Sequence, residues 1–393
     1  QPQFSFQNLI TSFAIDPLRG FGVVVETQIN DLLENHKVTA GGLVITDLKS
    51  GDLFAEYEYL KYWMDLKIRV DRNTVFRDQD SENLLIQKYT LNKVTLGASL
   101  PLTNWFRFEL NPFFAQTNFY NLQYENVVNR GNENFAEDSQ NPYIGVVGKA
   151  VFDNTIEKGY NLLHGTRALA EVRLYQGVNN GNLNFGKFRF DFRHYQPIHR
   201  EITWATRLFY GNSFGPNAQQ FLLGGVPNWL FNRTQQHSND PLAVDNTLDN
   251  SDILFVEYVT SLRGFDYNEM FGNSTLLLNT ELRIPVFRYF ARAPISSNFL
   301  RNFFLIGFAD IGSAWTGAPP FTQENSATQV EYRDGQTPFF ATITNYRNPW
   351  IASYGAGLRT LLLGYYARID YSRPIRDMEV KKPKITVSIG LDF

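Results

Sequence analysis

The sequence predicts an all-β protein: a 16-stranded antiparallel transmembrane β-barrel, built as one domain over residues 1–393. Three observations lead there. Segment after segment alternates bulky apolar with polar residues at a period of two, the repeat of a strand with one buried face. The segments run to about ten residues or more and carry charges on the polar face, which fits lipid on one side and a wet lumen on the other. The composition agrees, with 15% aromatic residues, 34 Phe, 20 Tyr and only 19% charged residues, against about 25% charged in soluble domains. No stretch reaches the roughly 20 apolar residues of a membrane helix.

In order, the alternating segments are 3–14, 19–31, 35–47, 51–60, 62–77, 84–100, 104–119 and 141–153, then 162–176, 183–196, 200–211, 273–286, 302–315, 352–363, 365–373 and 383–393. In the fifth, Met64, Leu66, Ile68 and Val70 alternate with Asp65, Lys67 and Arg69. The sixth changes phase near Asn92, which predicts a β-bulge there. In the tenth, Phe188, Phe190 and Phe192 alternate with Lys187, Arg189, Asp191 and Arg193. In the twelfth, Leu276, Leu278, Leu282 and Ile284 oppose Asn279, Glu281 and Arg283. The thirteenth contains "FFLIGFAD", apolar on both faces, so its inward set is not readable. The last is the cleanest: Ile385, Val387, Ile389, Leu391 and Phe393 fall on one side, opposite Thr386, Ser388, Gly390 and Asp392.

The connections follow the barrel rule of short turns at one rim and long loops at the other. With the first strand running outward, the even connections are the inner turns, among them "DLLEN", "PLTN", "PIH" and the single Gly364. The odd ones include Tyr120–Gln140, Asn212–Gly272 and Thr316–Ile351, rich in Asn, Gln, Gly and Pro. The short "LKSG" and the longer stretch after Val286 depart from the pattern.

The formal net charge of −3 and the absence of cysteine exclude some classes. No nucleic-acid partner is expected from that balance, and disulfides and thiolate metal sites are impossible. Gly211–Gly215 reads "GNSFG", but a nucleophile elbow needs a helix after it, and a long polar loop follows. His36, His164, His194, His199 and His237 form no metal spacing. Asp240, Asp245, Asp249 and Asp252 supply oxygen ligands suited to calcium without the calcium-loop spacing, so a solvated acidic loop is the simpler reading. The expectation is no enzyme, no metal and no cofactor. The polar-face charges Asp65, Lys67, Arg69, Arg107, Glu109, Arg189 and Asp191 read as structural, hydrating the lumen and pairing across strands.

Residues 261–265, "SLRGF", resemble the sixth-loop motif V-R-G-F of BamA and its relatives, the outer-membrane protein-assembly and two-partner-secretion barrels. Several neighbours resemble the family in order: "FRFDFRHYQPI" its tenth strand, "RLFYGNSFGPNAQQFLLGG" its eleventh and the loop start, and "LLLNTELRIPV" and "GFADIGSAW" its twelfth and thirteenth. "YGAGLRTLLLGYYARIDYSRPI" resembles strands fourteen and fifteen, and the terminal Phe393 resembles the family's assembly signal. The resemblance implies that the long sixth loop, 212–272, folds back into the lumen. Arg263 would then meet Glu281 and Asp310 on the wall, with Gly264 allowing close packing and Phe265 wedging against the inner face. The first strand (Phe4–Phe13) and last strand (Ile385–Phe393) would meet at a weak seam where a substrate strand adds. Leu262 replaces the usual valine, and about 35 residues separate "LLGG" from "SLRGF", an insertion that could cap the barrel or reach a partner.

The function the resemblance implies is insertion, folding or export of proteins at the outer membrane of a Gram-negative bacterium. Its partners would be outer-membrane lipids, unfolded outer-membrane or secreted substrates, and accessory periplasmic or outer-membrane subunits. Family members carry periplasmic domains before the barrel, so the resemblance implies either that such a domain precedes Gln1 outside this sequence or that this protein has lost its receiver. Two other readings stand beside it: a passive pore or solute channel, and a membrane anchor for a periplasmic or surface domain.

Overall fold

The computed structural model describes residues 4–79, 85–122, 137–237, 242, 249–322, 329–333, 340–344 and 348–393. Sixteen long strands form one antiparallel sheet. They are β1 (Phe4–Asp16), β2 (Gly20–Asp31), β3 (His36–Ile45), β4 (Gly51–Tyr59), β5 (Asp65–Gln79), β6 (Leu85–Pro101), β7 (Phe106–Asn121) and β8 (Ser139–Asp153). The second half comprises β9 (Leu162–Gly177), β10 (Phe185–His199), β11 (Ile202–Phe214), β12 (Ser274–Pro285), β13 (Phe304–Trp315), β14 (Ile351–Leu362), β15 (Tyr365–Arg376) and β16 (Lys384–Ile389). Two short pieces, Ile156–Gly159 and Glu379–Val380, bring the sheet to eighteen strands. Each long strand pairs with its neighbour in the chain, from β1–β2 round to β15–β16. Among the described residues no ladder joins β1 to β16. None of the described helices is long and apolar enough to cross a membrane.

The two faces of the sheet are inverted relative to a soluble protein. On β12, Leu278 and Leu282 are exposed while Asn279, Glu281 and Arg283 are buried. On β15, Ile369 and Tyr371 face out while Arg368, Asp370 and Ser372 face in. Apolar side chains on the outer face match hydrocarbon, which offers no hydrogen bonds, and the polar ones face each other across the lumen.

Three sequence expectations change. The phase change near Asn92 involves no bulge: Asn92 pairs in register with Arg72 and Gln116. Instead Tyr89 and Leu91 stay on the inner face and pack on apolar residues of the loop between β11 and β12, so the burial of that part of β6 is supplied by the loop. On β13, Phe304, Ile306, Phe308 and Asp310 face in, and Leu305 and Ile311 face out. Its inner apolar residues have partners, Leu162 for the first two. The last strand ends at Ile389, not at Phe393. Gly390 takes φ +115 and its N–H donates to the Tyr366 carbonyl at 2.8 Å. Ile385 and Leu391 remain outside, but Phe393 turns into the lumen beside Tyr195 and Ala205. The seam expected between Phe4–Phe13 and Ile385–Phe393 is likewise not a ladder.

Candidate functional site at the lumenal loop

The connection from β11 to β12 folds into the lumen. Its segments Phe221–Leu223, Glu257–Val259 and Met270–Gly272 form a small three-stranded sheet. Phe221, Leu223, Val259, Leu262 and Phe265 pack with Phe209, Leu277, Ala314 and Ile351 of the wall. On the other side Leu222, Leu242 and Ile253 pack with Val75, Tyr89 and Phe119. Apolar groups on so many strands buried by one loop mean that the wall curls around it. The long insertion before "SLRGF" therefore enters the lumen at Leu242 and over Ile253–Val259. Asp240 and Asp245 lie outside the described residues; Asp249 accepts from Ser251 N–H at 2.9 Å, and Asp252 accepts from Asn217 and Gln219, both at 3.0 Å.

Arg263 sits at the centre of this packing, 3% exposed. Its Nε and Nη2 donate to the two carboxylate oxygens of Asp310 at 2.7 and 2.6 Å, and Nη1 donates to Glu281 at 2.7 Å. Its backbone N–H also reaches Asp310 at 3.2 Å. The guanidinium lies 3.8 Å from the centre of the Phe308 ring. A planar fork of donors meets carboxylates two at a time, a geometry lysine cannot reproduce. Burial disfavours the charge on Arg263, but Asp310 and Glu281 outweigh it and hold the group well above its ordinary pKa. Both carboxylates and both motif neighbours are thus placed together. Gly264 has φ +85, and a Cβ there would sit 3.2 Å from Ser372. Phe265 is buried in the apolar cluster.

The network extends past the residues the motif names. Glu281 uses its second oxygen to accept from Arg283 Nε at 2.9 Å. Arg283 Nη2 donates to the Phe393 carbonyl at 3.0 Å, and its Nη1 reaches Asn161 at 3.3 Å. Asn279 donates to Asp310 at 2.7 Å and to the Ser261 carbonyl at 2.5 Å. Arg359 pairs with Asp392 at 2.9 Å and with Asp370 at 2.8 Å. The loop, the wall and the end of the chain are therefore one buried polar assembly. Asn279 and Arg283 could have been found from the sequence, because each lies two residues from Glu281 on the same face. Asp392 also falls on the polar face of its segment, but nothing in the sequence pairs it with Arg359.

A second set holds the loop to β9–β11. Glu257 accepts from Arg189 at 3.1 Å and lies 3.9 Å from Arg173. Lys187 Nζ donates to the Phe255 carbonyl. Arg207 bridges Asp191, at 3.0 Å, and the Thr260 carbonyl, at 3.1 Å. Among the other lumen charges some pairs cross strands, with Lys67 3.6 Å from Glu109 and Arg69 3.5 Å from Glu56, and others lie along one strand, with Arg107 3.0 Å from Glu109 and Arg69 2.7 Å from Asp71.

A loop that returns into the lumen and locks an arginine onto two adjacent strands is a specific arrangement, and the comparison with known families agrees with it. The Omp85 superfamily domain matches residues 50–393. The chain belongs to the Omp85 superfamily. No curated protein sequence matches it. Among solved structures it is similar to BamA from Haemophilus ducreyi lacking POTRA domains 1–3, with 14% identity and a TM-score of 0.59 over 99% of this chain and 71% of that one. It is also similar to CdiB from Acinetobacter baumannii, at 14% identity and TM-score 0.53, covering 99% of this chain and 60% of that one. CdiB from Escherichia coli gives 11% and 0.53, covering 97% and 61%. This Omp85 chain thus spans about 60% of the length of the two CdiB proteins. Family and fold identify a Gram-negative outer-membrane β-barrel, and they support a role in inserting or exporting proteins at that membrane.

Proposed function

We propose that this barrel inserts, folds or exports proteins at the outer membrane without covalent chemistry and without a cofactor. The observation that carries the reading is the open seam: among the described residues no ladder joins β1 to β16 in an otherwise continuous sheet, so neither edge has a full partner strand. An unpaired edge is a row of backbone donors and acceptors that an incoming strand can complete. The partners are unfolded outer-membrane or secreted proteins, the surrounding outer-membrane lipids, and accessory periplasmic or outer-membrane subunits. Nucleic acid is not among them.

The lumen supports this reading over a passive pore. Loop residues pack against the wall in three apolar clusters.

The test uses full-length protein in liposomes, mixed with a urea-unfolded outer-membrane barrel. Assembly should be faster than in protein-free liposomes and should depend on Arg263. Equal rates with and without the protein overturn the proposal. Size-limited solute uptake indifferent to Arg263 would point to a channel instead. Activity retained after the barrel is exchanged for an unrelated anchor would point to a tether.

A further inference from the structure

Residues 225–235 leave the lumenal loop and run along the seam. One end is tied to the motif: the Ser261 and Leu262 N–H groups donate to the Gly225 carbonyl at 3.0 and 3.1 Å. So is the other, where the Tyr267 N–H donates to Arg233 at 2.9 Å and Gln235 N–H donates back to Tyr267 at 2.8 Å. Between these ties the segment reaches both edges of the open sheet. The Leu230 N–H donates to the Val387 carbonyl at 3.0 Å, and the Ile389 N–H donates to the Asn228 carbonyl at 3.3 Å. These two bonds make Trp229 and Ser388 an antiparallel bridge. On the opposite side, the Ile15 N–H of β1 donates to Asn228 Oδ1 at 3.0 Å.

The same contacts explain why β1 and β16 do not pair. Asn228 touches Ile15 and Ile389 at once, so the C-terminal ends of the two strands lie side by side. Antiparallel neighbours in a full ladder would set the C-terminal end of one beside the N-terminal end of the other. The Phe13 ring, 5.4 Å from Tyr365 at the start of β15, marks the same offset. The edge of β16 is left without β1, and the chain covers it with its own residues.

We propose that the free edge of β16 at Val387–Ile389 is a strand-binding site, that Asn228–Leu230 is its resting occupant, and that extended segments entering it carry an aromatic residue in place of Trp229. This rests on the assembly or export reading above. Trp229 is 3% exposed. Its indole packs with Val226 and Tyr267 and lies 4.7 Å from the Lys384 ammonium. That pocket accepts a flat ring with a cation over it, and it gives a passing strand side-chain selectivity that backbone bonds alone lack. β16 holds its other neighbour by six registered pairs, from Ala367–Ile389 to Ser372–Lys384. The occupant holds it by one bridge, so the occupant is the side that exchanges.

The chain has no cysteine, which makes a disulfide test clean. Trp229 and Ser388 form a bridge without hydrogen bonds between themselves, the pairing in which Cα atoms stand about 4.5 Å apart and a disulfide fits. The full-length W229C/S388C protein should oxidise to an internal cross-link, and absence of that cross-link overturns the proposal. A photo-activatable peptide of residues 225–233 is then the probe. Its capture by the reduced protein should fall about fivefold or more on oxidation, the order expected when two backbone hydrogen bonds become unavailable. It should fall by a similar factor when the peptide's own tryptophan is replaced by alanine. Equal capture before and after oxidation, or by both peptides, overturns the proposal whether or not the protein assembles substrates. If assembly is absent from wild type while capture behaves as expected, the assembly reading alone fails.

Discussion

Arg263 on the loop and Asp310 on β13 are joined by two parallel hydrogen bonds of 2.7 and 2.6 Å, buried from solvent on both sides. A buried pair of this kind contributes little against an apolar replacement of both partners, but breaking it from one side is costly. Arg263→Ala leaves Asp310 and Glu281 buried and uncompensated. The expected cost is about 3–5 kcal/mol in loop docking. Limited proteolysis of the full-length protein should show faster cleavage within residues 215–273, and substrate assembly should drop with it. Equal protease resistance and equal assembly would sink the latch reading.

Arg263→Lys separates charge from geometry. Lysine keeps the positive charge but cannot bridge both Asp310 oxygens and Glu281 at once. Cleavage of the loop should fall between wild type and Arg263→Ala. A lysine variant indistinguishable from wild type would show that charge alone suffices.

Gly264 tests the backbone beside the latch. Its φ of +85 costs an L-residue about 1–2 kcal/mol, and a new Cβ would press on Ser372 at 3.2 Å. Gly264→Val should lower the temperature at which the barrel unfolds in detergent and raise loop cleavage, while Gly317→Val, with φ +85 and open space around it, should leave the loop docked. The same cleavage rate in both variants would remove the packing argument.

Glu257 gives the loop a pH dependence. Burial pushes its carboxyl up, but Lys187, Arg173 and Arg189 outweigh burial and hold it below its ordinary value. A depressed folded pKa stabilises docking above the unfolded value, roughly 4.3, and that contribution disappears as pH falls through the folded value. Protection of residues 253–259 against hydrogen exchange, taken relative to the intrinsic rate at each pH, should be high at neutral pH and fall in acid below that range. Glu257→Gln should flatten the profile. An unchanged profile in the variant would place the pH response elsewhere.

Conductance offers a check on the filled lumen. In planar bilayers the wild-type barrel should pass little steady current, and Arg263→Ala should raise it as the loop loosens. A large steady current through wild type would mean that the loop does not occupy the lumen.

The sequence by itself determined the wall. Period-two alternation placed Glu281 and Arg283 inside and Leu278 and Leu282 outside, because a strand between lipid and water leaves no other choice of face. It also carried the motif that brings Arg263 to Glu281 and Asp310. The tertiary structure decided what local pattern cannot encode. Tyr89 and Leu91 point inward because a loop far away in the chain covers them, so their phase looked like a defect. Phe393 leaves its alternation because Gly390 turns the chain and Arg283, on another strand, takes its carbonyl. Asn228–Leu230 lie against β16 only because β1 is offset from it. Each of these depends on a partner supplied from a distant part of the chain, and a period read along one strand carries no record of what stands opposite.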